Sequence, residues 1–143
     1  MFHAFGVFTG KLHALSSTFM PKSHRRHTWR ENYYLNHVKT FIPDKKVRIH
    51  QAHSTLMEAL DTLHGQMPGH DLIHGDLNVG NFHVENGNLT VFDFDACQYS
   101  WFVEDIAIAL YYTLFVYGDD DRATRDAMGA TFMDHFLRGY RQH

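Results

Sequence analysis

His74-Gly75-Asp76-Leu77-Asn78-Val79-Gly80-Asn81, then Phe82-His83-Val84-Glu85-Asn86-Gly87-Asn88-Leu89-Thr90-Val91-Phe92, then Asp93-Phe94-Asp95, is the stretch from which the rest of the chain can be read. Its middle is a hairpin. Asn86-Gly87 is the pair that a two-residue type I′ turn demands, because both central residues take positive φ. With that turn central, Glu85 faces Asn88, Val84 faces Leu89, His83 faces Thr90 and Phe82 faces Val91, which leaves the apolar set on one face. One further step places Asn81 opposite Phe92 and Asp93 diagonal to Asn81. Two oxygen-bearing side chains far apart in sequence thereby become neighbours. Strict alternation would point them to opposite faces, so the ladder is expected to end or bend near Asn81 if both are to reach one ion.

The spacing of these residues carries chemistry. A catalytic loop written H-R-D-x-x-x-x-N and followed by D-F-G takes the proton of an acceptor hydroxyl with its first Asp, and holds Mg²⁺ with the Asn and the second Asp. Asp76, Asn81 and Asp93 keep that spacing. With Gly75 where the loop has Arg, and with Asp-Phe-Asp, the chain resembles the aminoglycoside phosphotransferase and choline kinase superfamily, whose fold is protein-kinase-like. The resemblance runs back to Gly10-Lys11-Leu12-His13-Ala14-Leu15, similar to the helix that opens the family's C-terminal lobe. It runs forward through Trp101 to Gly118. It implies Asp76 as catalytic base, Asn81 and Asp93 as metal and cofactor ligands, Mg²⁺ and ATP as cofactor and co-substrate, and Asp105 of Glu104-Asp105-Ile106-Ala107 as a brace for the catalytic loop. His74 is expected to shape that loop by packing and hydrogen bonding. Asp95, where D-F-G has Gly, either adds to the metal site or caps the following loop.

A kinase of this type also needs a Gly-rich loop over the phosphates and a strand Lys. Neither is visible. Gly6-Val7-Phe8-Thr9-Gly10-Lys11-Leu12 is one residue short of G-x-x-x-x-G-K-[ST] and ends in Leu. It also sits in helical periodicity, with Phe5, Phe8, Leu12 and Leu15 on one face. The expectation is therefore one partial domain over residues 1–143, a kinase-like C-terminal lobe without its N-terminal nucleotide-binding lobe. That lobe would come from a longer parent chain or a second subunit.

Composition fits a single globular unit: 143 residues, 44% hydrophobic and 20% charged, with no repeat or low-complexity segment. Cys97 is the only cysteine, which forbids an internal disulfide and fits a reducing, cytoplasmic setting. The N-terminus lacks the pattern of a signal peptide. The longest apolar run, residues 106–117, is shorter than the ~18 residues of a membrane span. No membrane partner is expected.

The pattern predicts helices over residues 2–16, 28–40, 45–65, 102–117 and 121–139, and a short strand at Leu72-Ile73. The second helix carries Trp29, Tyr33 and His37 at helical spacing. The third carries Ile49, His53, Leu56, Leu60 and Leu63 on one stripe. The uniform apolarity of 102–117 predicts a central helix. The sum is α+β, mainly helical, with one small β hairpin at its catalytic edge.

Other features have ordinary readings. His24-x-x-His27 and His50-x-x-His53 lack cysteine partners and any H-E-x-x-H context, so a hard cation on Asn81 and Asp93 fits better than zinc. The basic cluster of residues 22–30 in a chain of net charge −3 is read as a solvated loop, not a nucleic-acid surface. Asp119-Asp120-Asp121 either caps a helix or attracts a cationic acceptor.

The sequence thus points to an ATP-dependent phosphotransferase acting on a hydroxyl of a small molecule, or of a protein Ser/Thr. The alternative is a noncatalytic remnant or binding module that keeps the motif. A metal-dependent hydrolase would explain the Asp cluster but not the kinase spacing.

Overall fold

The Asn-Gly turn forms as its chemistry requires. In the computed structural model, which describes every residue except 64, 65, 117 and 119, Asn86 and Gly87 take φ of 51° and 80°. The strands of the described residues are β1 (His70–Ile73), β2 (Phe82–Glu85), β3 (Asn88–Val91) and β4 (Gln98–Trp101). β2 and β3 pair antiparallel in the register read from sequence, Phe82 with Val91 through Glu85 with Asn88. β4 has no counterpart in the sequence reading. It pairs antiparallel with β1, Ile73 opposite Gln98 and His70 opposite Trp101, so a second two-stranded ribbon accompanies the expected hairpin.

The helices are α1 (Phe2–Ser16), α2 (Tyr33–Asn36), α3 (Val38–Phe41), α4 (Val47–Leu63), α5 (Phe102–Tyr111) and α6 (Arg122–Tyr140), with a π-helical turn over Tyr112–Val116. The helix expected over 28–40 is broken. A 3₁₀ turn at Trp29–Glu31 is followed by Asn32, whose side chain accepts from the backbone N–H groups of Tyr34 and Leu35 and so restarts the chain as α2. The last two residues of the helix expected over 45–65, and the last residue of the one over 102–117, lie outside the described residues.

The core joins Phe5 of α1, Leu77, Phe82, Ala109, and Phe132 and Phe136 of α6. Phe5 packs on Phe82 with ring centroids 4.8 Å apart, and on Phe136 edge-on at 5.6 Å. Each such buried ring contributes about 1.5–3 kcal/mol relative to exposure. Leu77 and Phe82 flank Asn78 and Asn81, so the core itself anchors the segment that follows Asp76.

α1 buries a different face from the one expected. Phe5, Gly6, Thr9, Gly10, His13 and Ser16 are buried, whereas Leu15 is 70% exposed. The cause is close backbone packing against α6: a Cβ on Gly6 would lie 2.0 Å from the Phe136 carbonyl oxygen, and one on Gly10 2.5 Å from that of Tyr140. Gly6–Leu12 is helical throughout, in agreement with its rejection as a phosphate loop.

The helix over 102–117 is one-sided, not central. Asp105, Ala109 and Thr113 are buried, while Val103, Tyr111 and Phe115 are all more than half exposed. Its inner face holds small and polar residues, with Ile106 and Leu110 partly buried against the core, while Val103, Tyr111 and Phe115 face outward. No helix among the described residues is long and apolar enough to cross a membrane.

Candidate active site

Asp76 lies at the head of a tight loop between β1 and β2. Its half-buried carboxylate is held on both sides, Oδ1 accepting from Asn78 Nδ2 at 2.9 Å and Oδ2 from Asn81 Nδ2 at 2.8 Å. Asn81 Nδ2 also reaches the Asp76 carbonyl at 2.9 Å. Asn78 closes an Asx turn by accepting from Gly80 N at 2.7 Å. Two amides therefore fix the carboxylate while leaving lone pairs on each oxygen for a proton.

The backbone behind Asp76 is pinned from below. Asp105, fully buried on α5, accepts from His74 N (Oδ2, 2.9 Å) and from Gly75 N (Oδ1, 2.9 Å). A third bond comes from His13 Nε2 of α1, which lies 3.0 Å from Oδ2. His13 stacks on Phe102 at 4.2 Å, and its Nδ1 is 2.9 Å from the Tyr140 hydroxyl of α6. Burial, with the Asp105 charge adding to it, pushes the Tyr140 hydroxyl above its ordinary range, so it remains a donor. A chain of polar contacts thus runs from α6 through α1 and α5 to the loop that carries Asp76.

His74 is a shaping residue by geometry. Nε2 lies 3.0 Å from the Phe92 carbonyl, which can only accept, and Nδ1 lies 3.3 Å from the Asp76 N–H, which can only donate. These two bonds select the neutral imidazole protonated on Nε2. The ring thereby ties the Asp76 loop to the end of β3, and Phe94 packs on it at 4.5 Å. Gly75 has φ of 80°, and a Cβ there would lie 2.3 Å from the Ala96 carbonyl oxygen, so only Gly lets the two halves of the motif approach.

Asn81 and Phe92 pair as the register requires, which leaves Asp93 one residue further on. Phe92 N donates to Asn81 O at 3.0 Å, one step beyond the named strands. The ladder then bends: Asp93 has φ 64° and ψ 61°, the left-handed region, and the following Phe94–Ala96 is a 3₁₀ turn. That bend is the break in alternation that the sequence demanded without displaying it. Asp93 and Asp95 are both exposed. The Asn81 amide nitrogen is committed to Asp76, so Oδ1 is its remaining acceptor atom. Among the described residues no group of three or more His, Cys, Asp or Glu is placed to hold a metal ion. The available donors are hard oxygens and too few to enclose an ion. Such a set suits Mg²⁺, which keeps waters and phosphate oxygens in its shell.

The second histidine pair acts as a tether: His53 Nε2 lies 2.9 Å from the Leu35 carbonyl, and His50 Nε2 3.3 Å from that of Pro43. The basic segment is exposed over residues 22–27, as expected of a solvated loop, and makes two surface contacts near the motif. Arg25 lies over the Tyr99 ring at 4.6 Å, and Arg26 donates to the Asp95 carbonyl at 3.3 Å. Asp121 caps α6 by accepting from Thr124 N, while Asp119 lies outside the described residues. Burial pushes the Cys97 thiol up, so it offers no ready nucleophile.

Sequence reasoning missed Asn78, His13 and Tyr140. Asn78 with Gly80 two residues on is an Asx-turn signature and could have been found. The His13 and Tyr140 contact spans the whole fold and has no local signal.

Glu104 begins α5 beside Asp105. It accepts from Gln98 Nε2 at 3.0 Å and from the Ser100 hydroxyl. Burial raises its carboxyl above the ordinary 4.5, and the neighbouring Asp105 adds to this against the two hydrogen bonds. The folded protein therefore holds this proton more tightly than the unfolded chain. The resulting stability is fully present below the ordinary glutamate range and lost as pH rises through the raised folded value. Glu104→Gln, which cannot titrate, is expected to flatten that part of the profile. Thermal denaturation between about pH 4 and about pH 7 checks it, and identical profiles for the two proteins would refute it.

Residues 1–142 match the phosphotransferase enzyme family. The amicoumacin kinase of Bacillus subtilis (strain 168) is 35% identical over 144 residues, covering 98% of this chain and 42% of that protein. The solved structure of amicoumacin kinase hAmiN in complex with AMP-PNP, Ca²⁺ and Ami superposes with a TM-score of 0.86 at 36% identity, covering 99% of this chain and 42% of that one. The chain spans less than half the length of these relatives. It belongs to the phosphotransferase enzyme family, and its fold is that of the C-terminal lobe of a protein-kinase-like enzyme.

Proposed function

We propose that this member of the phosphotransferase enzyme family provides the acceptor and metal side of an ATP-dependent transfer of the γ-phosphoryl group to a hydroxyl of a small molecule. The observation that carries the reading is the Asp76 carboxylate, clamped by Asn78 and Asn81 while Asn81 is hydrogen-bonded to the residue preceding Asp93. In this reading Asp76 orients the acceptor hydroxyl and takes its proton as the oxygen attacks phosphorus. Asn81 Oδ1 and Asp93 hold Mg²⁺, with Asp95 as a further oxygen within the same turn. The ion, when bound, neutralises charge on the transferring phosphate. His74 and Asp105 keep the loop in place and touch no substrate.

The amicoumacin kinases, one of them in complex with AMP-PNP, Ca²⁺ and Ami, support a nucleotide, a divalent cation and a small-molecule acceptor in preference to a protein Ser/Thr. The nucleotide-binding lobe, with its phosphate loop and Lys, would be contributed by a longer parent chain or a second subunit. A reducing cytoplasm suits a nucleotide-dependent enzyme whose one thiol is buried.

The test is calorimetric titration of ATP, with and without Mg²⁺, into the 143-residue chain and into the enzyme completed by its other lobe, beside Asp93→Ala. In the completed enzyme, Mg²⁺-dependent binding is expected to weaken at least about tenfold in the variant, the loss of one charged ligand. Unchanged binding and turnover in Asp93→Ala would overturn the metal assignment. Absence of turnover in the completed wild-type enzyme would leave a noncatalytic binding module.

A further inference from the structure

The Asp105 hub that pins the Asp76 loop is itself set from the far side of the fold. Asp105 is fully buried, and as a carboxylate it can only accept. Oδ1 takes Gly75 N, while Oδ2 is shared between His74 N and His13 Nε2. His13 must therefore carry a proton on Nε2 to hold its place there.

The opposite edge of the His13 ring decides whether it does. His13 is 2% exposed, and Phe102 stacks on it at 4.2 Å with the planes 8° apart, so the ring is held in its plane. Its Nδ1 lies 2.9 Å from the Tyr140 hydroxyl, which burial keeps protonated. A hydroxyl that donates to Nδ1 leaves that nitrogen bare and puts the ring proton on Nε2, toward Asp105. Without the hydroxyl that tautomer loses its donor at Nδ1, and any ring with a bare Nε2 meets the carboxylate lone pair to lone pair.

The seam between α1 and α6 brings the two rings together. Gly10 lies one turn before His13, and Gly139 immediately precedes Tyr140. A Cβ on Gly10 would lie 2.5 Å from the Tyr140 carbonyl oxygen, and one on Gly139 2.2 Å from that of His3. A side chain at either position would push the helices apart and lift the hydroxyl off Nδ1. The Tyr140 ring stacks on Phe136 and meets His13 edge-on at 5.6 Å, so the core places the ring that carries the hydroxyl.

We propose that Tyr140 is a positioning residue for phosphoryl transfer: its hydroxyl holds His13 in the tautomer that donates to Asp105, and Asp105 in turn holds the His74-Gly75 backbone that carries Asp76. Tyr140 acts in this relay only through His13. That the relay serves phosphoryl transfer rests on the function proposed above; the hydrogen bonds themselves do not.

Tyr140→Phe keeps the ring and removes the hydroxyl. In the 143-residue chain, ¹⁵N NMR of the wild-type His13 ring is expected to show a protonated Nε2 and a bare Nδ1. In Tyr140→Phe the two nitrogen signals are expected to converge. Amide hydrogen exchange at His74 and Gly75, read against the β2 and β3 amides to remove any global loss of stability, is expected to quicken about tenfold, the equivalent of one unmade buried hydrogen bond. In the enzyme completed by its other lobe, kcat is expected to fall about tenfold with KM unchanged. His13→Gln, whose amide nitrogen can stand in for Nε2 as the donor to Asp105, is expected to make a further Tyr140→Phe change silent in kcat.

Two distinct His13 signals retained in Tyr140→Phe, loop exchange that does not quicken relative to the hairpin, or a doubly protonated ring in the wild-type chain would each overturn the relay. A Tyr140→Phe effect of full size in the His13→Gln background would overturn it too, since the hydroxyl would then act by another route. The two readings fail separately. Converged signals and quickened loop exchange, with no turnover in the completed wild-type enzyme, keep the relay and remove phosphotransfer. Turnover that depends on Asp76 and is untouched by Tyr140→Phe keeps phosphotransfer and removes the positioning role.

Discussion

Asp76→Asn in an enzyme carrying the whole fold is expected to lower phosphoryl transfer by about 10²–10⁴-fold, the contribution typical of a positioned general base. The substitution keeps the size of the side chain and removes its basicity. It also places an amide nitrogen where Asn78 or Asn81 now donates, so one clamp is lost. Mg²⁺-nucleotide binding should persist, because Asn81 Oδ1 and Asp93 are untouched. The check is acceptor-dependent ADP formation measured beside nucleotide affinity. Wild-type turnover in the variant would remove Asp76 from the chemistry, and lost turnover accompanied by lost fold would be exposed by a falling melting temperature.

Asp105→Ala is expected to destabilise the protein by about 3–5 kcal/mol, because it strands three donors around a fully buried position. The backbone N–H groups of His74 and Gly75 and the His13 ring lose their common acceptor. For a domain of this size that corresponds to a fall in Tm of about 10 °C or more. Asp105→Asn, which keeps one acceptor oxygen, should fall between wild type and Ala. A positioning role predicts one thing that bulk destabilisation does not: well below its Tm, Asp105→Asn should lower kcat more than it raises KM, since the loop and not the substrate is displaced. Denaturation and steady-state kinetics on the same preparations decide it. An Ala variant within about 1 kcal/mol of wild type would show that the three bonds contribute little net stability.

The parts of this fold that were legible in the sequence are those fixed by local chemistry. Asn86-Gly87 set a turn, the turn set a register, and the register placed Asn81 against Phe92. The bend at Asp93 was required by that logic but carries no signal of its own, because left-handed Asp is a tolerated and not a demanded conformation. α1 was misread because its inner face is built of Gly6, Thr9, Gly10 and His13, which an apolar-periodicity criterion ignores. β4 was missed because Gln98-Tyr99-Ser100-Trp101 is too short for a period to emerge. Its buried polar residues are satisfied by Glu104, a partner outside the strand. The run over 102–117 misled in the opposite sense: its apolar residues are real, but Val103, Tyr111, Phe115 and Val116 face solvent and not a core. His13 and Tyr140 needed the tertiary structure, since 127 positions separate them.

The glycine-lined seam between α1 and α6 orders events in time. Phe5, Gly6 and Gly10 are covered by residues of α6, so a nascent chain that has not yet emitted residues 122–140 leaves that face of α1 uncovered, with only its contacts to the β-strands in place. Closing a loop of that length costs about 4 kcal/mol of chain entropy, which the seam recovers only when both helices are complete. Translation proceeds from α1 to α6, yet the packing of α1 waits for α6. His13 cannot be held by Tyr140, nor that part of the Asp105 hub be completed, until α6 has left the ribosome, so this lobe becomes competent as a unit once α6 is made and not progressively along it.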